Sequence, residues 1–546
     1  MNVARAVGRT LAGLGVDHVF GVVGSGNFHV TNALVESGAR FVAARHEGGA
    51  ATMADAYARM SDTVSAVSVH QGCGLTNAMT GIAEAAKSRT PMVVLAADVA
   101  ETTSNFWVDQ DALAVSVGAV PLTIGSAKEA VATAARAYWT ARDQRRTVVL
   151  NLPLSVQAEE VPPDRLAVPD PPAPAGREPD AEGLLHLVEA LAAAERPVFV
   201  AGRGSRGPGG RAALETLAEV CGALLATSAV AKGLFGGKPW SLDVSGGFSS
   251  PLAAELIRGA DVIVGWGCAL NMWTMRRGTL IGPEATVVQV DLEPAALGRH
   301  REIAFGVTGG VPETAAAATE ALAGRESSGY RSEEVAGRLA GGVRWRDVAY
   351  DDTSTAERID PRTLSIALDD MLPTERVVGV DSGNFMGYPS MFWSVPDEHG
   401  FCFTQAYQSI GLGLATTIGA ALAQPHRLPV AALGDGGALM SVAELDTVAR
   451  LGLPMVVVVY NDDAYGAEVH HFGPDGFDLS TVRFPPTDLA AVGRGFGFDA
   501  VTVRRAADVV AVRTWLEGDR ARPLLVDAKV TTEHASWWLE EAFRGH

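Results

Sequence analysis

Short runs of β-branched and aliphatic residues recur along the whole chain, and stretches with apolar residues at helical spacing separate them. Nearly continuous Val/Ile/Leu strands followed by Ala-rich helices are typical of parallel sheets that helices cover on both faces. The pattern therefore predicts an α/β protein built from three doubly wound parallel-sheet domains. Ligands of such sheets bind at the carboxyl ends of the strands. The predicted strands are DHVFGVV, SAVSVH, PMVVLAA and TVVLNLP, then PVFVAG, DVIVGWG and TVVQVDL, and finally RVVGVD, PVAALGD, PMVVVVYND and PLLVDAK.

Two stretches interrupt this alternation and divide the chain. Residues 161–180 are so rich in proline that neither a helix nor a central strand can run through them. Residues 324–358 are polar and charged, and we expect them to connect domains with some helix of their own. A chain of 546 residues is too long for one hydrophobic core. The predicted domains are 1–165, 183–323 and 355–546, each of a usual size for an α/β unit.

Composition narrows the range of partners. The net charge of −19 argues against nucleic acid, whose phosphates select basic surfaces. No apolar run approaches the ~20 residues that span a bilayer, and the N-terminal segment reads as an amphipathic helix followed by a strand. The four cysteines are scattered without a CxxC pair, which fits a reducing compartment. We therefore expect a cytoplasmic protein that binds neither nucleic acid nor a membrane.

The third predicted domain carries the sharpest chemical signal. Strand PVAAL ends in Gly434-Asp435-Gly436-Gly437, the predicted helix ALMSVAELDTVARLG follows, and strand PMVVVVY ends in Asn461-Asp462-Asp463. This βαβ unit places acidic groups at the carboxyl ends of two strands. Glycines let backbone N–H groups approach an anion closely, and Asp435 and Asp462 offer hard oxygen ligands to Mg²⁺, which often shares phosphate oxygens. A diphosphate bridged through Mg²⁺ is the natural interpretation, although a GDG alone is usually a plain turn.

These paired strand ends resemble the motif of thiamine-diphosphate-dependent enzymes, in which GDG is followed after a helix and a strand by a paired asparagine. The resemblance implies thiamine diphosphate and Mg²⁺ as cofactors, with Asp435, Asp462 and the backbone carbonyl of Ala464 as metal ligands. The family usually has Asn where this chain has Asp462; the extra carboxylate suits the cation but could also repel the diphosphate. Further cofactor contacts are implied for Asp381, Gly383, Asn384, Gly434, Gly436, Gly437, Tyr465 and Gly466.

The first predicted domain resembles the proton-handling half of the same site. Glu47 follows the apolar run FVAA and opens the helix GGAATMADAYARM. In the family a glutamate binds the aminopyrimidine and favours the tautomer that removes the thiazolium proton, and the resemblance assigns this role to Glu47. In isolation Glu47 would read as an ordinary glutamate at a helix N-terminus. The resemblance also makes Ile410 the wedge that bends the cofactor and the carbonyl of Gln408 an acceptor for its amino group; a plain core isoleucine is the alternative.

Substrate-facing residues are implied by loops after the predicted strands. His70 and Gln71 follow strand SAVSV, in a loop similar to one that starts with histidine in benzoylformate decarboxylase. The near-neutral titration of histidine suits proton transfer at the substrate, whereas a lone histidine at a strand end is more often structural. Ser25 in the first turn and Glu468, which matches in position a catalytic glutamate of pyruvate decarboxylases, are further catalytic candidates. Other candidates for substrate contacts or the pocket entrance are Asn27, His29, His470 and His471.

The middle domain resembles the non-catalytic domain that binds FAD in acetohydroxyacid synthase. Its glycine-rich turns, GRGSRGPGG and GWGCALNMWTMRRG, contain no clean GxGxxG and match the FAD-contacting pattern poorly. FAD is therefore not assigned, and both an ADP-like ligand and an empty scaffold remain open.

The resemblance extends end to end and implies an acetolactate synthase-like carboligase or lyase. Such an enzyme decarboxylates a 2-oxo acid such as pyruvate and transfers the resulting acyl-anion equivalent to a second carbonyl. Two alternatives remain: a simple decarboxylase that releases an aldehyde, and a non-catalytic cofactor-binding homologue. The resemblance also implies a homodimer or homotetramer, in which Glu47 of one chain faces Asp435 of another.

Two aromatic segments bear on specificity. Trp107 stands where acetohydroxyacid synthases carry a glutamine, which argues against plain acetolactate synthesis. The C-terminal segment, with Trp537, Trp538 and Phe543, either caps the pocket or packs against a neighbouring domain.

Overall fold

Three sheets organise the chain, and the strands of each sheet pair in parallel. The computed structural model describes residues 1–173, 176–324 and 329–543, and within these ranges each sheet has six strands. Helices flank all three sheets, so the prediction of three doubly wound parallel-sheet units is confirmed. Within the same ranges, no helix is long and apolar enough to cross a lipid bilayer.

The first sheet is formed by the N-terminal part of the chain. Its strands are β1 (His18–Gly21), β2 (Arg40–Ala43), β3 (Ser65–Val69), β4 (Met92–Asp98), β5 (Val120–Thr123) and β6 (Thr147–Pro153). Its helices are α1 (Val3–Leu14), α2 (Phe28–Glu36), α3 (Glu47–Ser61), α4 (Cys73–Lys87), α5 (Gln110–Ser116), α6 (Ala130–Asp143) and α7 (Leu154–Gln157). The strand order is β2-β1-β3-β4-β6-β5. Strands are added on one side of β1 and then on the other, so the switch point of the sheet lies between β1 and β3. The turns that carry Ser25 and His70 therefore meet at the edge where doubly wound sheets bind ligands.

The second sheet is formed by the middle of the chain. Its strands are β7 (Pro197–Ala201), β8 (Leu224–Thr227), β9 (Ser241–Val244), β10 (Val262–Trp266), β11 (Thr286–Asp291) and β12 (Phe305–Thr308). Its helices are α8 (Ala181–Ala193), α9 (Gly210–Cys221), α10 (Pro251–Arg258) and α11 (Val311–Ala321). The strand order is β12-β11-β10-β7-β8-β9, with the reversal between β7 and β10. Helix α12 (Glu333–Ala340) lies in the polar stretch that follows this sheet.

The third sheet has the order β14-β13-β15-β16-β18-β17. Its strands are β13 (Arg376–Val380), β14 (Phe401–Phe403), β15 (Leu428–Gly434), β16 (Val456–Asn461), β17 (Asp499–Val503) and β18 (Leu524–Lys529). Its helices are α13 (Pro361–Met371), α14 (Gly387–Phe392), α15 (Gly413–Ala423), α16 (Asp435–Met440), α17 (Glu444–Arg450), α18 (Gly466–Phe472), α19 (Leu489–Gly495), α20 (Val510–Glu517) and α21 (Trp537–Phe543). Asp381 follows β13 and Asp435 follows β15, so both residues lie at the reversal point of this sheet.

The single helix predicted over residues 438–452 is wrong, because the chain bends between α16 and α17. The hydroxyl of Ser441 donates to the carbonyl of Gly437 at 2.9 Å, a back-bond that bends helices. Glu444 then opens α17, and its carboxylate accepts the backbone N–H groups of Arg45 and His46 at 3.0 and 3.1 Å. The bend therefore brings the start of α17 against the loop that precedes Glu47.

Helices α3 and α15 join the first and third sheets through one continuous core. Met53 from α3 and Ile418 from α15 are fully buried in the same apolar cluster. A β-carbon at Gly419 would lie 2.1 Å from the backbone carbonyl oxygen of Met53, so only glycine permits this approach of the two helices. Helix α3, which begins at Glu47, is thus packed closely onto the sheet that carries the acidic strand ends.

A buried ionic network also connects the first and third sheet regions. The guanidinium of Arg59 donates to Asp55 at 2.6 and 2.8 Å and to Glu84 at 2.9 Å. Glu84 also accepts the backbone N–H groups of Ala406 and Tyr407 at 3.0 and 2.6 Å. Burial raises the pKa of Asp55, an effect that the charge of Arg59 opposes. Arg59 is therefore the counter-charge that allows two carboxylates to be buried at this junction.

We expect Arg59→Met to lower the free energy of unfolding by about 3–5 kcal/mol, because it leaves Asp55 and Glu84 buried without their counter-charge. The measurement is the urea midpoint of the transition that includes the first and third sheets. Arg5→Ala is the control, since it removes an exposed ion pair with Glu36 and should cost under ~1 kcal/mol. Equal shifts for the two variants would show that the network does not stabilise the junction.

Candidate active site

The glycine-rich turn after β15 is shaped by close packing. A β-carbon at Gly437 would lie 2.1 Å from Oδ2 of Asp381, and one at Gly436 would lie 2.6 Å from the ring of Tyr465. Gly434 has Phe385 as its neighbour, at 3.1 Å from the position of a β-carbon. The turn can therefore hold only glycine beside Asp435, which leaves its backbone open on the side away from these neighbours.

Asp435 and Asp462 lie together at the ends of the adjacent strands β15 and β16. Asp435 is 7% exposed, and Asp462 is half-buried beside it, close enough for the two carboxyl groups to hydrogen-bond. Burial raises the pKa of Asp435 to about 6. Burial and the neighbouring Asp435 raise the pKa of Asp462 well above its ordinary value. Two carboxyl groups in this arrangement share a proton or bind a cation, and their hard oxygens suit Mg²⁺.

The residues around the pair are consistent with a site for one cation. The third acid of the strand end, Asp463, binds the guanidinium of Arg358 at 2.5 Å and is therefore already paired. The backbone N–H of Ala464 donates to Oδ1 of Asp462 at 3.3 Å, which places the following turn against the pair. Gly466 lies close to Asp462, since a β-carbon there would be 2.2 Å from Oδ2.

Asp381 supports the loop that carries the predicted wedge residue. It is fully buried, and its carboxylate accepts the backbone N–H of Gly411 at 2.9 and 3.0 Å and that of Leu412 at 3.2 Å. Burial raises the pKa of Asp381 to about 6. Gln408 precedes these residues in a left-handed conformation with φ +59°, and Ile410 is half-buried. Asp381 therefore holds the loop in place, and its own oxygens are largely occupied by the protein.

Asn384 connects the C-terminal segment to the part of the site that adjoins Asp462. Its amide oxygen accepts the backbone N–H of Ser536 at 2.9 Å, and its carbonyl accepts the Ser536 hydroxyl and the Trp538 indole at 2.7 and 3.0 Å. Gly383, with φ +137°, provides the turn before it. Asn384 Cβ lies 3.4 Å from the position of a β-carbon on Gly466. The C-terminal segment therefore closes against residues that adjoin Asp462.

The two C-terminal tryptophans pack between parts of the chain. The Trp538 ring lies 6.4 Å from Phe248 and 6.2 Å from Trp273, both from the second sheet region. Trp537 lies 5.9 Å from Trp345. These contacts match the interpretation in which the C-terminal segment packs against a neighbouring domain. The side chain of Phe543 lies outside the described part of the chain.

Glu47 opens α3 and has one hydrogen bond in the described part of the chain. Asn77 on α4 donates its amide N–H to Oε2 of Glu47 at 3.1 Å. Oε1 lies 3.5 Å from the position of a β-carbon on Gly74, so a larger residue there would crowd the carboxylate. Sequence reasoning missed Asn77, because a polar residue near a helix start carries no signal that it reaches a side chain on another helix.

His70 and Gln71 lie directly against the first turn. A β-carbon at Gly24 would lie 2.0 Å from the His70 ring, and one at Gly26 would lie 1.8 Å from Oε1 of Gln71. Nδ1 of His70 and Oε1 of Gln71 are buried without a hydrogen-bond partner among the described residues. The His70 ring also faces Phe106, with the ring centroids 5.4 Å apart. Unpaired buried polar atoms at a strand end are expected where a ligand completes the hydrogen bonding.

The remaining candidates divide into exposed and structural residues. Ser25, His29 and Glu468 are exposed, Glu468 in the first turn of α18. Asn27 is buried, and its side chain binds the backbone N–H of Gly24 and the hydroxyl of Ser68, so it stabilises the first turn. Burial lowers the pKa of His470, with a further contribution from His534, and His471 lies beside it on α18.

Exposed apolar side chains surround both half-sites in the isolated chain. Phe28 is 52% exposed and Met440 is 55% exposed. Trp107, Phe106 and Leu439 are exposed as well. Such a concentration of large exposed apolar residues is typical of a surface that another protein covers.

Comparison with known proteins identifies the family of the chain. The N-terminal TPP binding domain of thiamine pyrophosphate enzymes matches residues 1–116, their central domain matches 184–318, and their C-terminal TPP binding domain matches 381–528. A probable 2-ketoarginine decarboxylase of Pseudomonas aeruginosa is 29% identical over 517 residues, which cover 91% of this chain and 88% of that protein.

Two further relatives have other activities in their names. A sulfoacetaldehyde acetyltransferase of Castellaniella defragrans is 27% identical, covering 93% of this chain and 89% of that protein. An acetolactate synthase large subunit of Parasynechococcus marenigrum is 26% identical, covering 90% of this chain and 81% of that protein. With all three family domains matched in order, the chain belongs to the thiamine pyrophosphate enzymes and is a thiamine-pyrophosphate-dependent enzyme.

Proposed function

We propose that this enzyme decarboxylates a 2-oxo acid such as pyruvate and transfers the resulting acyl-anion equivalent to a second carbonyl compound. One observation carries the proposal: a cation-binding carboxylate pair, Asp435 and Asp462, occurs in the same chain as a glutamate, Glu47, that another side chain holds in position. A protein that merely binds the cofactor does not need the glutamate, which argues against the non-catalytic alternative. The names of the acetolactate synthase and acetyltransferase relatives support group transfer.

We assign the cofactor contacts as follows. Asp435, Asp462 and the backbone carbonyl of Ala464 would hold Mg²⁺, and the glycines beside Asp435 would leave room for the diphosphate. When bound, thiamine diphosphate supplies a nucleophilic carbon and an electron sink for decarboxylation. The further contacts lie around this pair in the third sheet region: Asp381 (through the loop that it holds), Gly383, Asn384, Gln408, Ile410, Gly434, Gly436, Gly437, Tyr465 and Gly466.

On the other half-site, Glu47 would bind the aminopyrimidine ring and hold a proton there. The N–H of Asn77 orients the carboxylate and leaves one oxygen free for this purpose. Nδ1 of His70 has no partner in the part of the chain that the structure describes, so we expect it to accept or deliver a proton at the substrate. Gln71 and Ser25 would contact the substrate from the same edge of the sheet. Glu468, on the exposed first turn of α18, would act from the side of the metal.

We further propose that two copies of the chain complete each other's active sites, in a homodimer or a homotetramer. Glu47 faces Asn77 of its own chain, and exposed apolar residues flank both half-sites, among them Phe28 and Met440. Burial of this apolar surface would drive association. We expect the enzyme to work in the cytoplasm, in line with its four unpaired cysteines.

A simple decarboxylase is the second candidate function. It is supported by the unpaired Nδ1 of His70, which could protonate the product before release, and by the relative named as a decarboxylase. The two functions differ in the fate of the acyl-anion equivalent, so the product distinguishes them.

The product of pyruvate tests the proposed function. With thiamine diphosphate and Mg²⁺ present, we expect CO₂ release together with acetolactate or acetoin, identified by mass spectrometry. Acetaldehyde as the sole organic product would instead establish the simple decarboxylase. If pyruvate is inert, 2-ketoarginine as donor and sulfoacetaldehyde as acceptor extend the panel, because relatives carry these names. Absence of turnover with every donor, despite bound cofactor, would contradict both functions.

Replacing Asp462 tests the metal site. Asp462→Asn keeps an oxygen ligand, so we expect it to retain cofactor binding, whereas Asp462→Ala removes the ligand and should abolish Mg²⁺-dependent binding of thiamine diphosphate. Isothermal titration calorimetry measures both. Full activity of the Ala variant would refute the assignment of Asp462.

The pH dependence of the same titration provides a second readout. Because the pKa of Asp435 is raised to about 6 and that of Asp462 lies above its ordinary value, protons compete with the cation at low pH. Apparent Mg²⁺ affinity in the wild type should rise as the pH increases through about 6. Asp462→Asn removes one of the two titrating carboxyl groups, so the affinity of this variant should change less steeply with pH than that of the wild type.

Replacing Glu47 tests the proton-handling half. Glu47→Gln keeps the shape and the bond to Asn77 but removes the acid, and we expect kcat to fall by ~10²–10⁴-fold with cofactor binding retained. Asn77→Ala should give a smaller loss. Glu36→Gln, an exposed change on α2, is the control. An unchanged kcat in Glu47→Gln would exclude Glu47 from catalysis.

A further inference from the structure

A cavity of about 340 Å³ lies apart from the residues assigned to the cofactor. Its walls come from the segment before α13, from α13 and α14, and from the C-terminal segment. Neither Asp435, Asp462 nor Glu47 lines it. Its volume lies within the range of protein sites for small organic ligands, roughly 300–1,000 Å³. The reaction proposed above makes no use of this space.

The hydroxyl of Tyr388 is an unfilled hydrogen-bonding position in this cavity. Tyr388 is 7% exposed and lines the cavity, and its hydroxyl reaches the solvent of the cavity without a hydrogen-bond partner among the described residues. Burial raises the pKa of Tyr388 above its ordinary value, so the hydroxyl stays protonated and can donate or accept. A buried polar group without a partner is costly unless a ligand or water completes its bonding.

The cavity lining contains one internal ion pair and two further carboxylates, so its net charge is negative. The guanidinium of Arg362 is paired with the carboxylate of Asp360, to which it donates at 3.0 and 2.6 Å. Asp360 is itself saturated by Arg362 and by the backbone N–H and hydroxyl of Thr353. Asp351 and Glu540 also line the cavity; both residues are exposed, and neither carboxylate has a partner among the described residues. His534 is the remaining titratable group on its wall.

Aromatic rings form much of the remaining surface, and two of them already accept cations. The guanidinium of Arg362 lies 4.5 Å from the centroid of the Tyr350 ring, and that of Arg276 lies 5.3 Å from the centroid of Trp537. Trp345 packs beside Trp537, with the ring centroids 5.9 Å apart. The π-faces of such rings attract ammonium and guanidinium groups.

We propose that this cavity binds a small organic cation, an ammonium or guanidinium group on a short aliphatic chain. Asp351 and Glu540 supply the counter-charge, the Tyr388 hydroxyl supplies a hydrogen bond, and the tryptophan rings cover the aliphatic part. An anion would meet two unpaired carboxylates, and an uncharged molecule would leave them unused. This site is independent of the proposed reaction.

The site is connected to the cofactor region through two contacts. Tyr388 stacks on Tyr460, with the rings 6.2 Å apart and 16° from parallel, and Tyr460 lies in β16, which leads to Asp462. The wall that carries His534 and Glu540 continues through Ser536, which binds Asn384. A bound cation would therefore also stabilise the C-terminal segment at the point where this segment contacts Asn384.

Calorimetric titration of the full-length enzyme, saturated with thiamine diphosphate and Mg²⁺, tests the proposal. The probes are n-butylammonium and n-butylguanidinium chloride, and the matched controls are butan-1-ol and sodium butyrate. We expect one saturable site for each cation and no saturable heat from the controls. Tyr388→Phe, Asp351→Asn and Glu540→Gln should each weaken cation binding by about 3- to 10-fold, the value of one hydrogen bond to or from a partly buried group.

Glu517→Gln on α20 is the control variant, because it removes an exposed acid that does not line the cavity. Its affinity for the cations should equal that of the wild type. Butyrate or butanol binding as tightly as the cations would overturn the proposal, and so would cation affinities that none of the three cavity variants changes. Cations that compete with thiamine diphosphate would show that the binding lies in the active site and would equally refute it. Melting temperatures within a few degrees of the wild type establish that the variants are folded.

Discussion

Asp435 and the half-buried Asp462 lie beside each other at the carboxyl ends of β15 and β16, and the proximity of two such carboxyl groups opposes the ionisation of both. Parallel pairing sets this proximity, since Gly434 at the end of β15 lies opposite Tyr460, one residue before the end of β16. Adjacent strands are ~4.8 Å apart, which brings the side chains that follow them within reach of one ion. The proximity of the two carboxyl groups is therefore a consequence of strand order, and it would be lost if another strand separated β15 from β16.

Around this pair, the protein uses its other acids for different purposes. Asp463 neutralises Arg358, and Asp381 accepts the backbone N–H groups of the loop that carries Ile410. Both are close to the pair in space, yet each already has protein partners. The contrast separates these acids by their surroundings: Asp463 and Asp381 are bound by protein groups, whereas Asp435 and Asp462 lie against each other. Asp381 further couples the turn at Gly437 to the loop at Gly411, so both sides of the site move together.

The sequence pattern revealed the central strands of the first and third sheets and missed those at the edges; in the second sheet it also missed the interior strand β8. In the third sheet β13, β15, β16 and β18 were predicted as runs of Val, Ile and Leu, whereas the edge strands β14 and β17 were not. Edge strands are half-solvated and short, so their sequences lack the continuous apolar run. Site residues at strand ends were identified for the same reason, since their positions follow from the strands. Asn77 was not, because its contact with Glu47 depends on the packing of α4 against α3, which no local pattern encodes.

The position of Glu47 also determines what one chain can do alone. Its helix α3 is fixed to α15 by the close approach at Gly419 and to the loop before Gln408 by Arg59 and Glu84. These contacts are buried and leave little freedom for α3 to swing towards another part of its own chain. Within that rigid arrangement, the apolar side chains of Phe28, Phe106 and Met440 remain exposed beside the two half-sites. The α3–α15 core does not include these side chains, so covering them would leave its packing unchanged.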